Sequence, residues 1–156
     1  MLFLGVVAGL DQATKVLVAQ RMGLGDVVEV VPGLFNIMLV YNKGAAFGML
    51  ANFSEGTRQV LLAMTTLVAL SAVIYFLVRE YKDDRLARLG ISFIMGGALG
   101  NIIDRVRLGH VIDFLDFYYR SYHWPAFNVA DSFICVGVVI LLLRAPKRKD
   151  NEASPA

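Results

Sequence analysis

The sequence predicts an α-helical membrane protein with four spans and a small β-rich segment on the outer side. Three observations point there. Of 156 residues, 57% are hydrophobic and 18% charged, and the mean hydropathy is +0.61, which is more apolar and less charged than an average soluble domain. Long uncharged stretches stand between basic residues, and one short connection and the tail after the last stretch concentrate Lys and Arg. A net charge of +2 gives no reason to expect a nucleic-acid partner. One cysteine, Cys135, excludes an internal disulfide and a Cys-rich zinc site. His110 and His123 stand thirteen apart without an HExxH pattern, so a two-histidine metal helix is also excluded, and no metal or cofactor is expected.

Crossing about 30 Å of hydrocarbon takes roughly 20 helical residues. The first span is read over 2–22, apolar apart from Asp11, Gln12, Lys15, Gln20 and Arg21. A removable signal peptide is not expected here, because a basic leading region and a cleavage site are missing. Residues 23–56 hold β-branched and aromatic residues with Pro32 and several glycines, which reads as short strands and turns. The second span, 59–79, contains the uncharged run Val60 to Val78 between Arg58 and Arg79. The third, 86–104, carries Gly96-x-x-x-Gly100, a spacing that lets helix backbones approach closely in lipid. Residues 105–126 end in an aromatic stretch with Tyr118, Tyr119, Tyr122 and Trp124, expected as interface anchors. The fourth span, 127–145, has Asp131 one turn inside its start; the tail 146–156 is polar and expected to be disordered. Met38, Met49, Met64 and Met95 are expected to be packing residues.

Arg79, Lys82, Arg85 and Arg88 fall within ten residues, and Arg144, Lys147, Arg148 and Lys149 follow the last span. By the positive-inside rule both termini are then cytoplasmic.

Charges at membrane depth cost at least a few kcal/mol each, so the acids there are functional candidates. They are Asp11, Asp104, Asp113, Asp116 and Asp131, and all but Asp11 fall near the expected outer ends of spans. Asn101 and Asp104 repeat the spacing of Asn128 and Asp131, and on a helix residues three apart share a face. Asn128 reads both as the cap of the last helix and as a pocket residue, with Asp131 at N3. Asp104 with Arg105 reads first as an interfacial ion pair. Asp113 and Asp116 are again three apart, and one of them is expected to face water; Asp113 is marginally the better pocket residue on local sequence. Lys15 either snorkels or pairs internally with Asp11, four residues earlier.

Two carboxylates sharing one site cannot both ionise cheaply, so one stays protonated while the other draws a proton from water. Three rivals stand beside this aspartyl chemistry. A Ser–Lys peptidase would use Lys15 with Ser92 or Ser132, a small transporter would move protons or cations past Asp11, Asp104 and Asp131, and a metal-dependent phosphotransferase would need more clustered acids.

Five motifs, in one order through the chain, resemble the bacterial lipoprotein signal peptidases, or signal peptidase II. They are Asp11 to Lys15, Tyr41 to Gly48, Gly96 to Arg105, Val111 to Phe114 and Phe127 to Ser132. The resemblance covers nearly the whole chain and implies an intramembrane aspartyl endopeptidase. Such enzymes remove signal peptides from diacylglyceryl-modified prolipoproteins, cutting just before the lipidated cysteine. It implies Asp113 and Asp131 as the catalytic pair. It also implies that Asn42, Gly44, Asn101, Asp104, Arg105 and Asn128 line or brace the substrate pocket, supported by Asp11 and Lys15. The β-rich segment would be a cradle on the outer surface of the bacterial inner membrane. Membrane lipids and globomycin-type cyclic peptide inhibitors are implied as further partners, and a monomer is expected. Lys43 stands where the family often has Thr.

Overall fold

The computed structural model describes residues 2–44, 54–81 and 83–144. The Ala45–Gly48 part of one motif, Met49 and the tail 146–156 lie outside the described residues. The elements run α1 (Leu2–Arg21), β1 (Val27–Val31), β2 (Phe35–Asn42), α2 (Glu55–Glu80), α3 (Arg85–Leu108), β3 (Val111–Tyr119), β4 (Tyr122–His123) and α4 (Val129–Arg144). They give four helices and a four-stranded antiparallel sheet in the order β1-β2-β3-β4.

The helices alternate in direction. Along α3, Gly96 packs on Leu4 and Val7 of α1 and Gly100 packs on Asp11, so α1 and α3 rise together. Gly97 meets Ala130 and Ile134, whereas Gly90 and Ile94 meet Gly137, so α4 runs against α3. At Gly100 the approach leaves no room for a side chain: a Cβ would collide with the Asp11 carboxylate. Tyr81 and Ala87 pack with Val73, Ile91 and Leu141, placing the end of α2 beside the start of α3 and the end of α4. One end of the bundle therefore gathers the start of α1, the α2–α3 connection and Arg144, and the sheet sits at the other.

Burial is inverted relative to a soluble protein. Phe3, Leu10 and Leu17 of α1, Met64 and Val68 of α2, and Val139, Leu142 and Leu143 of α4 are exposed, while Asp11 and Lys15 are 0% and 1% exposed. Apolar side chains facing outward around buried ionic groups suit a hydrocarbon solvent. Met64, expected as a packing residue, is among those facing out.

Among the described residues, α3 is the one helix that meets the length and composition of a membrane span. α1 carries Asp11, Gln12 and Lys15 at mid-length, and α4 has 16 residues. Many side chains of α2 lie outside the description.

The sequence reading put strands only within 23–56 and took 105–126 as an interfacial stretch. Instead α3 runs on to Leu108. Gly109 then caps it at φ 75, donating to the Arg105 carbonyl, a left-handed conformation that glycine adopts without strain. The chain turns there into β3, which pairs with β2 through Val40–Asp113 and Asn42–Val111. Strand β3 was hidden because its first four residues and Asp116 are all buried, so polar and apolar side chains do not alternate as on a half-solvated strand. Tyr119, Tyr122 and Trp124 are exposed. Tyr118 donates to Glu29 at 2.6 Å and accepts from the Gly33 N–H at 2.8 Å, tying β3 to the β1–β2 turn.

Candidate active site

The site forms where β3, the start of α4 and the upper part of α3 meet. Phe127 joins β3 before α4 begins: its N–H donates to the Leu115 carbonyl, and its carbonyl accepts from Phe114 and Leu115. That ladder sets Asn128 and Asp131 beside Asp113.

Asn128 caps α4. Its Oδ1 accepts the Asp131 N–H at 3.0 Å, and its own N–H donates to Asp131 Oδ2 at 3.3 Å, a reciprocal capping box. Its Nδ2 meanwhile donates to Asp113 Oδ1 at 2.6 Å. The cap and pocket roles read from sequence coexist, and one fully buried residue reaches both carboxylates, Asp113 through its side-chain amide and Asp131 through its backbone N–H. Asn42 Nδ2 donates to Asp113 Oδ2 at 2.9 Å, with its Oδ1 accepting the Gly44 N–H at 2.8 Å. Asn101 Nδ2 donates to Asp131 Oδ1 at 2.8 Å. All four carboxylate oxygens thus carry an N–H donor.

Asp113 is 3% exposed. Burial pushes its carboxyl up to about 6, the Asp131 charge adds to the rise, and the bonds from Asn42 and Asn128 oppose it. Half-buried Arg105 reaches back to the Asn101 carbonyl at 3.4 Å and lies in the combined field of Asp131, Asp113 and Asp104.

Beneath this pair lies a buried ionic layer. Lys15 Nζ is 2.8 Å from Asp11, 2.8 Å from Asp104 and 2.9 Å from Asn101 Oδ1. The internal Asp11–Lys15 pair read from sequence is present, and Lys15 does not snorkel. The Asp104–Arg105 reading is corrected: Asp104 is 2% exposed and takes Lys15 across the helix interface, because α1 packs on the face of α3 that Asn101 and Asp104 share. Asp104 also accepts the Ile112 N–H at 3.2 Å, and Asp11 accepts the Ala130 N–H at 2.9 Å. The two acids hold the first residues of β3 and α4, the segments that present Asp113 and Asp131.

Asp116 is corrected as well. It is buried rather than facing water, held by Asn36 at 2.9 Å and His123 at 3.0 Å, partners that do not touch the Asp113–Asp131 pair. Residues three apart on a strand point to opposite faces, which separates the two acids. Sequence reasoning passed over Gln12, whose Nε2 donates to Asp104 at 2.8 Å and to the Gly100 carbonyl at 3.1 Å; an amide amid apolar residues was its signal. It also passed over Asn36 and His123, which nothing local marks.

Ser92 and Ser132 donate their hydroxyls to the Arg88 and Asn128 carbonyls one turn back, and the described partners of Lys15 include neither serine.

The sequence model of the family described as Signal peptidase (SPase) II matches residues 3–146. The lipoprotein signal peptidase of Geobacter metallireducens is 53% identical over 147 residues, covering 91% of this chain and 90% of that protein. That of Geobacter sulfurreducens is 51% identical over 155 residues, covering 95% of each. A bacterial membrane enzyme solved by the in meso method matches with a TM-score of 0.81 at 35% identity, covering 94% of this chain and 92% of that one. On a family match across nearly its whole length, and on relatives that are about half identical over 91% and 95% of it, this chain belongs to the signal peptidase II family.

Proposed function

We propose that the chain is an aspartyl endopeptidase working inside the bacterial inner membrane, with Asp113 and Asp131 as its catalytic pair. The activity is that of its relatives: removal of signal peptides from prolipoproteins. The observation that carries the aspartyl assignment is the shared bracket of Asn128, which touches both carboxylates, next to Arg105 and at the sheet end of the bundle.

The ionised acid takes a proton from water, whose oxygen attacks the scissile carbonyl carbon. The protonated acid donates to the carbonyl oxygen. In the second half the acid that took the water proton gives it to the leaving amine, the other acid takes a proton back from a hydroxyl of the tetrahedral intermediate, the C–N bond breaks and the pair returns to its starting charge. Burial makes the shared proton available at neutral pH, and the amide donors hold both carboxyls in register. Such a pair titrates as a unit. Asn42 and Arg105 hold the substrate backbone, which unwinds locally, while the diacylglyceryl tails stay in the lipid. Gly44 orients Asn42. Asn101 and Asn128 orient the acids, and Asp11, Lys15 and Asp104 brace them.

All four helices cross the membrane, as their alternating directions and outward apolar faces support. Arg79, Arg85, Arg88 and Arg144 share the end that holds the N-terminus, so both termini are cytoplasmic and the site lies near the outer leaflet. The sheet is the outer cradle, globomycin-type cyclic peptides are expected to occupy the same pocket, and a monomer suffices for the chemistry.

The pH profile of kcat/KM tests the pair. Asn42 stabilises the Asp113 carboxylate, so its removal raises the pKa of that group. Asn42→Ala is expected to move the basic limb of the profile toward higher pH while lowering the maximum by about tenfold; a limb that stays put or moves down contradicts the assignment. Ser92→Ala and Ser132→Ala are each expected to keep turnover within about threefold of wild type, because neither hydroxyl takes part. Complete loss in either would favour the Ser–Lys rival.

A further inference from the structure

At the end of the bundle opposite the site, Phe3 of α1 and Arg85, Arg88, Leu89 and Ser92 of α3 line an open groove of about 240 Å³. Its chemistry is lopsided. Arg85 and Arg88 both line it, and among the described residues neither guanidinium has a hydrogen-bond or ion-pair partner. Their neighbours are committed: Arg144 bonds Asp84 at 2.7 Å and Arg79 bonds the Tyr75 hydroxyl at 3.0 Å. The α3 N-terminus is also occupied, since Asp84 accepts from the Leu86 and Ala87 N–H groups at 2.9 and 3.1 Å. The charge left open at the groove is therefore that of the two exposed arginines themselves. Phe3 and Leu89 supply an apolar flank leading along the helices.

We infer that this groove binds one anionic glycerophospholipid of the inner leaflet, its phosphodiester between Arg85 and Arg88 and its acyl chains along Phe3 and Leu89. Paired guanidinium forks match phosphate oxygens, and basic clefts between spanning helices on the cytoplasmic side suit such headgroups. An apolar wall beside the two forks favours a lipid over free phosphate. The inference rests on the orientation proposed above. It adds a site that seats the α1–α3 pair in the leaflet far from the chemistry.

Native mass spectrometry of the purified full chain tests it, with phosphatidylglycerol against phosphatidylcholine. Wild type is expected to retain one phosphatidylglycerol with roughly a tenfold preference or more. Arg85→Gln with Arg88→Gln should bring the preference close to unity, whereas Arg79→Gln with Arg107→Gln, the same change in charge elsewhere, should leave it. Ser92→Trp fills the groove without changing charge and should also expel the lipid, which covers the case of a double variant that fails to fold. Equal loss in both double variants, retention by Ser92→Trp, or full displacement by millimolar inorganic phosphate overturns the inference. Precursor cleavage by the same preparations separates the two readings. A wild type that cleaves the precursor but shows no phosphatidylglycerol preference sinks only the groove; lipid binding without any cleavage by wild type sinks the peptidase.

Discussion

Asp113→Asn and Asp131→Asn are each expected to lower kcat/KM on a lipid-modified precursor by about 10³-fold or more, with thermal melting little changed. An amide can neither take a proton from water nor give one to the carbonyl, so each variant removes one half of the acid–base pair, and such halves contribute about 10²–10⁴-fold. The two losses should not add in the double variant, because either acid alone is idle. Stability should hold because Asn keeps the size of Asp. In Asp131→Asn the amide oxygen can still accept the Asn128 N–H, giving up only the bond from Asn101. Cleavage by each purified variant, with a melting curve in the same detergent, checks both statements.

The second large effect is on stability. Lys15→Met is expected to destabilise the fold by about 3–5 kcal/mol, because it leaves Asp11 and Asp104 buried without their shared cation. The damage should spread. Asp104 holds the first turn of β3 through Ile112 and Asp11 holds the start of α4 through Ala130, so activity should fall together with the melting temperature. Adding Asp104→Asn to Lys15→Met removes one stranded charge and should recover part of the loss. That recovery, read as a non-additive double-mutant cycle, is the mark of a coupled pair. Additive losses would mean the two residues act independently.

The helices were legible in the sequence because long uncharged stretches cannot easily be anything else at this composition. The Asn128 cap and the Asp11–Lys15 pair were legible because both are local, set by spacings of three and four on one helix. What stayed hidden was tertiary. Asp104 looked like a partner for Arg105 because adjacency is all that a sequence shows. Its true partner, Lys15, sits on another helix that comes close only because Gly100 leaves space beside Asp11. Strand β3 was hidden by its own acids. Asp113 and Asp116 looked equivalent until pleating sent one toward Asn42 and Asn128 and the other toward Asn36 and His123. From local sequence Asp113 was barely preferred, and the resemblance alone singled it out with Asp131. The bracket by Asn128 adds a physical reason for that choice, since no other described residue bonds both carboxylates.

The most direct test of the central claim compares Asp131→Asn with Asp104→Asn on a diacylglyceryl-modified precursor, each shown to be folded in the same membrane mimic. Both acids are held by polar partners and both lie within the same network, but in the proposed assignment only Asp131 acts on the scissile bond. The account predicts that Asp131→Asn is silent and that Asp104→Asn, although less stable, still releases the signal peptide at a measurable rate. Turnover near the wild-type rate by folded Asp131→Asn, with Asp104→Asn inactive, would contradict it and move the chemistry to the Lys15 layer.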